Sequence, residues 1–156
     1  MTHGAGMTGL DEIRGMIAAG LRPPMIALLD ISLLEVEEGR VVFGAVPGRS
    51  VYNAAGIVHG GYAATLLDTA CGVAASSATK APQNCMTLEL KVAYHRAMDA
   101  DTGPVRAIGT VVSIGKRVAH TEARLVDDRD RLYASATSTL LLSDRRQGEK
   151  VGKEQA

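Results

Sequence analysis

Val58-His59-Gly60-Gly61 opens a run, GYAATLLDTACGVAASSAT over residues 61–79, whose reading decides the fold. Small and apolar residues recur on nearly every face of a helix drawn through it, which marks a helix surrounded by protein rather than one lying on a surface. Asp68, in its middle, is the one formal charge between Arg49 and Lys80. An ionised carboxylate in apolar surroundings is costly unless something pairs with it or uses it, so a buried Asp68 is a candidate functional group. The plain alternative is an Asp capped by a Thr hydroxyl or a backbone N–H at a bend. Lys80-Ala81-Pro82 stops the helix, which occupies residues 59–78 and spans roughly 28 Å.

Downstream, the period switches to two. In Met86-Thr-Leu-Glu-Leu-Lys-Val-Ala-Tyr94 the residues at 86, 88, 90, 92 and 94 are apolar, with Thr87, Glu89 and Lys91 facing the other way. Residues 105–114, 117–126 and 132–142 read as three further strands, joined by turns at Gly115-Lys116 and Asp127-Asp128-Arg129-Asp130. Upstream, residues 8–19 form a short amphipathic helix with Leu10, Ile13 and Ile17 on one side and Asp11 in its first turn. Arg22-Pro23-Pro24 ends it, and residues 25–29 make one more turn. Strands at 31–37 and 40–46 meet in a tight hairpin at Glu38-Gly39, and Pro47-Gly48 opens a loop to Gly56. Strands of nine or ten residues span about 30 Å, the length of the helix. The fold class is therefore α+β, a curved antiparallel sheet of about six strands wrapped around one long central helix. Residues 1–22 are an N-terminal helical extension, 23–143 the domain, and 144–156 a polar flexible tail.

Composition narrows the function. Seventeen basic and seventeen acidic residues cancel, so no global field draws nucleic acid or a membrane surface, and an anionic ligand must meet a local cluster. One Phe, four Tyr and no Trp leave no platform for stacking bases. Cys71 and Cys85 lack metal-ligand spacing and read as buried free thiols in a reducing compartment. No signal peptide is legible at the N-terminus, and the run from Ser50 to Thr79 is too interrupted to span a membrane, so the expected location is the cytoplasm.

The stretch Asn53-Ala-Ala-Gly-Ile-Val-His-Gly-Gly-Tyr-Ala-Ala-Thr-Leu-Leu-Asp68 closely resembles the hotdog-fold acyl-CoA thioesterases of the phenylacetate-degradation (PaaI) type. The likeness runs from about Pro23 to Leu142, through the strand at 86–94, the Gly115-Lys116-Arg117 turn and the last strand. It implies an acyl-CoA substrate, no cofactor and no metal. It implies Asp68 as the carboxylate that activates water or attacks directly, and the Gly60 N–H, assisted by Asn53, as the group that polarises the thioester carbonyl. Thr87 stands where relatives carry a Ser or Thr that orients the water. His59 matches the motif His, whose role is to place the helix start, and Gly61 completes the motif beside the substrate. Lys116 and Arg117, with Arg96 and His95 near strand ends, are candidates to meet the phosphates of CoA.

The physics of the residues supports these roles. A helix N-terminus presents unpaired N–H groups and partial positive charge, and glycine there admits a ligand carbonyl. A good oxyanion donor is worth about 3–4 kcal/mol, and a carboxylate supplies the base. Gly60 and Asp68 are eight residues apart, hence about 12 Å along one helix and roughly 80° around it. One carbonyl carbon must lie within about 3–3.5 Å of both the donor and the attacking water. The two groups must then come from different chains, in a homodimer and, by resemblance, a dimer of dimers. Small and aliphatic side chains of the helix and loop residues 47–56 are expected to line the acyl pocket. A hotdog hydratase needs a His-x-Asp or His-Phe-Pro-Gly context, which is absent, and a non-catalytic acyl-CoA-binding module needs no carboxylate in the helix.

Overall fold

A computed structural model describes residues 6–145. Helix α1 (Gly9–Ala18) starts at a capping box in which Thr8 and Asp11 exchange side-chain and backbone hydrogen bonds, and α2 (Pro24–Leu28) is a single turn begun by proline. Strands β1 (Ser32–Glu37) and β2 (Arg40–Ala45) form the expected hairpin, with Gly39 at φ +77°. Then come the central helix α3 (Gly60–Ser77) and strands β3 (Gln83–Tyr94), β4 (Val105–Ile114), β5 (Val118–Asp127) and β6 (Leu132–Asp144). The six strands make one antiparallel sheet in the order β1-β2-β4-β5-β6-β3. The sheet curls around α3, the hotdog arrangement expected.

What lets helix and sheet close on each other is the small side of each. Leu66, Leu67, Ala70, Cys71, Ala74 and Ala75 are fully buried against the sheet. At Gly109 in β4 a Cβ would sit 2.3 Å from the Ala70 carbonyl oxygen, so any larger residue there would force the helix off the sheet. The terminal segment is tied down as well. The Gly9 N–H donates to Thr79 O at 3.1 Å, and Arg145 grips the Glu12 carboxylate with both terminal nitrogens.

Three expectations need correction. The last strand is longer than read: β6 runs two residues past 142, because Asp144 and Ser143 pair with Gln83 and Asn84 of β3, which itself begins three residues before 86. Of the tail assigned to 144–156, Asp144 ends β6 and Arg145 holds Glu12, and residues 146–156 lie outside the described residues, as do residues 1–5. Second, α3 is not covered all round. Gly61 is exposed, and Thr65, Asp68, Gly72 and Ser76 are half-buried, because the sheet of a single chain wraps the opposite side. Asp68 is accordingly half-buried rather than buried, and Cys85 likewise.

The third correction concerns β3. The ladder with β6 shifts register between Thr87 and Glu89, so Leu88 is an extra residue in a β-bulge. Ahead of the bulge Cys85 and Thr87 face α3, and beyond it Leu90, Val92 and Tyr94 do. Met86 and Leu88, read on one apolar face with Leu90, Val92 and Tyr94, are 50% and 61% exposed. No helix among the described residues is long and apolar enough to cross a membrane.

Candidate active site

The chain approaches α3 through a pinned loop. Val58 N–H donates to Met98 O at 2.9 Å and His59 N–H to Val51 O at 2.8 Å, fixing the direction in which the helix begins. His59 is the N-cap: its Nδ1 accepts the Gly61 N–H at 2.8 Å, which requires that nitrogen to be unprotonated. Gly61 therefore spends its N–H inside the cap. The Gly60 N–H is left with no partner among the described residues, at the positive end of the helix macrodipole.

Two contacts hold Gly60. The Tyr94 hydroxyl donates to its carbonyl oxygen at 2.8 Å, and a Cβ at this position would meet the Tyr94 ring at 3.2 Å. Asn53 sits upstream in a tight turn: its Oδ1 accepts from Ala55 N at 2.9 Å and Ile57 N at 3.4 Å. That use of the oxygen fixes which way the amide points and leaves the Nδ2 without a partner among the described residues.

Two turns along α3, Asp68 receives a hydrogen bond from the Thr87 hydroxyl, Oγ1 to Oδ1, at 2.8 Å. The capped-Asp alternative is thus half realised, since one carboxylate oxygen is engaged. Oδ2 remains for a water or substrate. The turn with Lys116 and Arg117, both exposed, joins β4 to β5 at this level of the sheet. Ile114, Ala119, Leu140 and Thr87 stand in one row across the strands, so the turn lies roughly 10 Å, two strand spacings, from Thr87's strand. Arg96 and His95 stand at the other end of β3, next to Tyr94; the His95 ring is 2.9 Å from the Ser135 hydroxyl.

Within one chain, then, β3 carries two separate half-sites. Gly60 with Tyr94 lies at one end and Asp68 with Thr87 at the other, roughly 20 Å apart along the strand. Tyr94 is the residue that sequence reasoning missed. Its only signal was a phenol placed last in an otherwise aliphatic alternation.

A groove of about 370 Å³ opens on the other flank of α3, under α1 and α2. None of residues 47–56 lines it, and that loop folds towards the helix start. The thiols do not take part in either half-site. Burial pushes Cys71 up to about 11 and raises Cys85 as well, so both stay protonated near neutrality.

Residues 55–134 match the family model described as the thioesterase superfamily. A putative esterase of Halobacterium salinarum is 32% identical over 118 residues, covering 72% of this chain and 76% of that one. A 1,4-dihydroxy-2-naphthoyl-CoA hydrolase of Listeria monocytogenes is 23% identical over 118 residues, with coverage of 76% and 94%. Among solved structures, the phenylacetic acid degradation protein PaaI of Thermus thermophilus, in a single-residue variant, superimposes with a TM-score of 0.69 at 24% identity. That match covers 76% of this chain and 98% of PaaI, a likeness of fold.

Proposed function

Since the chain belongs to the thioesterase superfamily and is a thioester hydrolase, we propose that it cleaves acyl-CoA thioesters to free acid and CoA, at sites assembled from two copies of the chain. The observation that carries this reading is the Asp68–Thr87 pair, a carboxylate on the open flank of α3 with a hydroxyl fixed 2.8 Å from one oxygen. Asp68 Oδ2 takes a proton from water, Thr87 orients that carboxylate, and the water attacks the thioester carbon. The Gly60 N–H, assisted by the Asn53 amide, receives the negative charge that develops on the carbonyl oxygen. The CoA thiolate then leaves.

Support for a shared site comes from β3. It is one edge of the sheet, and a long edge strand with exposed Met86, Leu88 and Tyr94 invites pairing with another copy. Two-fold antiparallel pairing centred on Lys91, three rungs from each residue once the bulge at Leu88 is counted, sets Thr87 of one chain opposite Tyr94 of its partner. Those two residues are then one strand spacing apart, about 4.8 Å, which turns the Asp68 half-site of one chain towards the Gly60 half-site of the other. The same operation brings Lys116 and Arg117 of one chain and Arg96 and His95 of the other to the same end of one site, a set suited to the CoA phosphates. The Listeria relative, named as a hydrolase of a CoA thioester, agrees with that substrate class. Pairs of such dimers are the expected higher assembly.

Release of free CoA from a panel of acyl- and aryl-CoAs, followed with a thiol reagent, tests the reaction. Asp68→Asn should keep the fold and lose kcat by about 10²-fold or more, the usual worth of general-base assistance. Turnover by Asp68→Asn at the wild-type rate would remove Asp68 from the chemistry.

A further inference from the structure

The groove beside α3 has walls from four elements besides the helix. Ile13 and Met16 come from α1, Ile26 from α2, and Leu33 and Phe43 from β1 and β2, while Thr69 and Val73 form the α3 side. Every wall outside α3 thus precedes residue 55, where the match to the thioesterase family begins. The part of the chain that matches the family holds Asp68, and the part before it builds the cavity.

Cavity and carboxylate are neighbours along α3. Thr69, a groove wall, follows Asp68 directly. Between the two flanks runs the open ridge of α3, made of Gly61, Thr65, Gly72 and Ser76. Its hydroxyls are turned into the helix, Thr65 Oγ1 to Gly61 O at 2.9 Å and Ser76 Oγ to Gly72 O at 3.0 Å, leaving methyl, methylene and Cα surface outward. Apart from Asp68 itself, nothing on the ridge is large enough to obstruct a chain crossing it.

We propose that this groove receives a saturated, medium-length acyl chain whose thioester is held at Asp68 of the same subunit. The assignment rests on the reading of Asp68 as the thioesterase base. Size sets the length. A methylene is close to a water in bulk, about 30 Å³, so 370 Å³ corresponds to roughly twelve such groups. A single phenyl ring leaves about half of that space empty. The walls are mostly aliphatic or methionine, with Phe43 and the Ser32 and Thr69 hydroxyls among them, and Arg22 at the rim donates to the Ile31 carbonyl at 2.6 Å.

The experiment measures kcat/KM of the full chain for saturated acyl-CoAs from acetyl to palmitoyl. It also measures binding of non-hydrolysable ketone analogues of butyryl- and decanoyl-CoA, with a methylene inserted between sulfur and carbonyl. Each methylene that enters the groove should raise kcat/KM up to about fourfold, until a maximum at roughly eight to twelve carbons. Ile13→Trp, which fills the groove, should lower the decanoyl-to-butyryl ratio of kcat/KM at least tenfold and loosen the decanoyl analogue selectively. Ile17→Trp, at a half-exposed wall residue, serves if Ile13→Trp does not fold. An active enzyme with a flat length profile, or a tryptophan variant that lowers both substrates by one factor, overturns the proposal. If no acyl-CoA is hydrolysed yet analogue binding keeps its dependence on length and on Ile13, the groove stands and the hydrolase reading falls. Absence of both turnover and length-dependent binding overturns the two together.

Discussion

Tyr94 shows how a residue without chemistry of its own can govern one that has it. Gly60 offers an unpaired N–H, but glycine is the residue least able to hold a direction by itself. The Tyr94 hydroxyl fixes the Gly60 carbonyl and the ring packs against its Cα, so the peptide at the helix start has a second anchor beside the His59 cap. An oxyanion donor acts most strongly when charge has developed, so misaiming it costs rate more than binding. Tyr94→Phe should lower kcat roughly three- to tenfold, the worth of one neutral hydrogen bond, with KM for acyl-CoA nearly unchanged. A rise in KM at constant kcat, measured under steady-state conditions, would make Tyr94 a substrate contact and not an anchor. At this scale the sequence was informative about types and silent about partners. Asp68 stood out because it is the only charge in an apolar run, and Gly60 because two glycines open a helix. That a tyrosine thirty-four residues away holds Gly60 depends on the register of β3, which no local pattern encodes.

At the scale of elements, the bulge at Leu88 decides what β3 can do. Thr87 and Tyr94 are seven residues apart, an odd spacing that in a regular strand puts them on opposite faces. One extra residue restores them to the same face, so both reach α3. The sequence reads as unbroken alternation from Met86 to Tyr94, because a bulge inserts a residue without changing composition and the apolar Leu88 disguises it. The strands themselves were legible to within about three residues, since period two and turn chemistry are local properties. A second element gains its rigidity from one carboxylate. In the β5–β6 turn the Asp127 side chain is fully buried and accepts from Arg129 N and Arg131 N at 2.9 Å each, from Arg131 Nε at 2.6 Å and from Tyr133 Oη at 3.3 Å. Burial pushes its pKa up, but the Arg131 backbone N–H, the Arg131 guanidinium and the Arg129 N–H together outweigh it and bring the value from 3.8 to about 2. The folded state thus binds this proton less readily than the unfolded chain. The stabilisation is fully present above pH 3.8 and is lost as pH falls through about 2. Asp127→Asn should lower Tm at neutral pH, and the gap to wild type should close as the pH drops from about 4 to about 2. A gap that stays constant down to pH 2, in thermal melts followed by circular dichroism, would mean that the charge on Asp127 contributes nothing.

The whole molecule raises the question of how many chains a site needs, and here spacing along the sequence was a better guide than burial. The run around Asp68 reads as fully buried because glycine, alanine, serine and threonine count as small whether they face protein or solvent. In one chain they form the open ridge of α3. The interval of eight residues between Gly60 and Asp68 does not depend on burial, and the contacts at opposite ends of β3 keep the two groups apart in any single chain. A mixture of two inactive parents tests the consequence. Asp68→Asn removes the base, and Gly60→Pro removes the N–H. Proline suits the first helical position, and the extended backbone of His59, at ψ 134°, is the conformation that a following proline prefers. The ring that meets the new Cβ belongs to Tyr94, which is 56% exposed and can move aside. If the donor of one chain works with the base of the other, a mixed dimer holds one site with both defects and one with neither. Random reassortment makes about half of the dimers mixed, so activity should recover to about a quarter of wild type. Circular dichroism and size-exclusion chromatography establish beforehand that both parents fold and exchange subunits, with Gly60→Val as the milder block. A mixture that exchanges and stays inactive would place donor and base in one chain, and α3 would then have to deliver both within a reach that its own 12 Å of axial separation denies it.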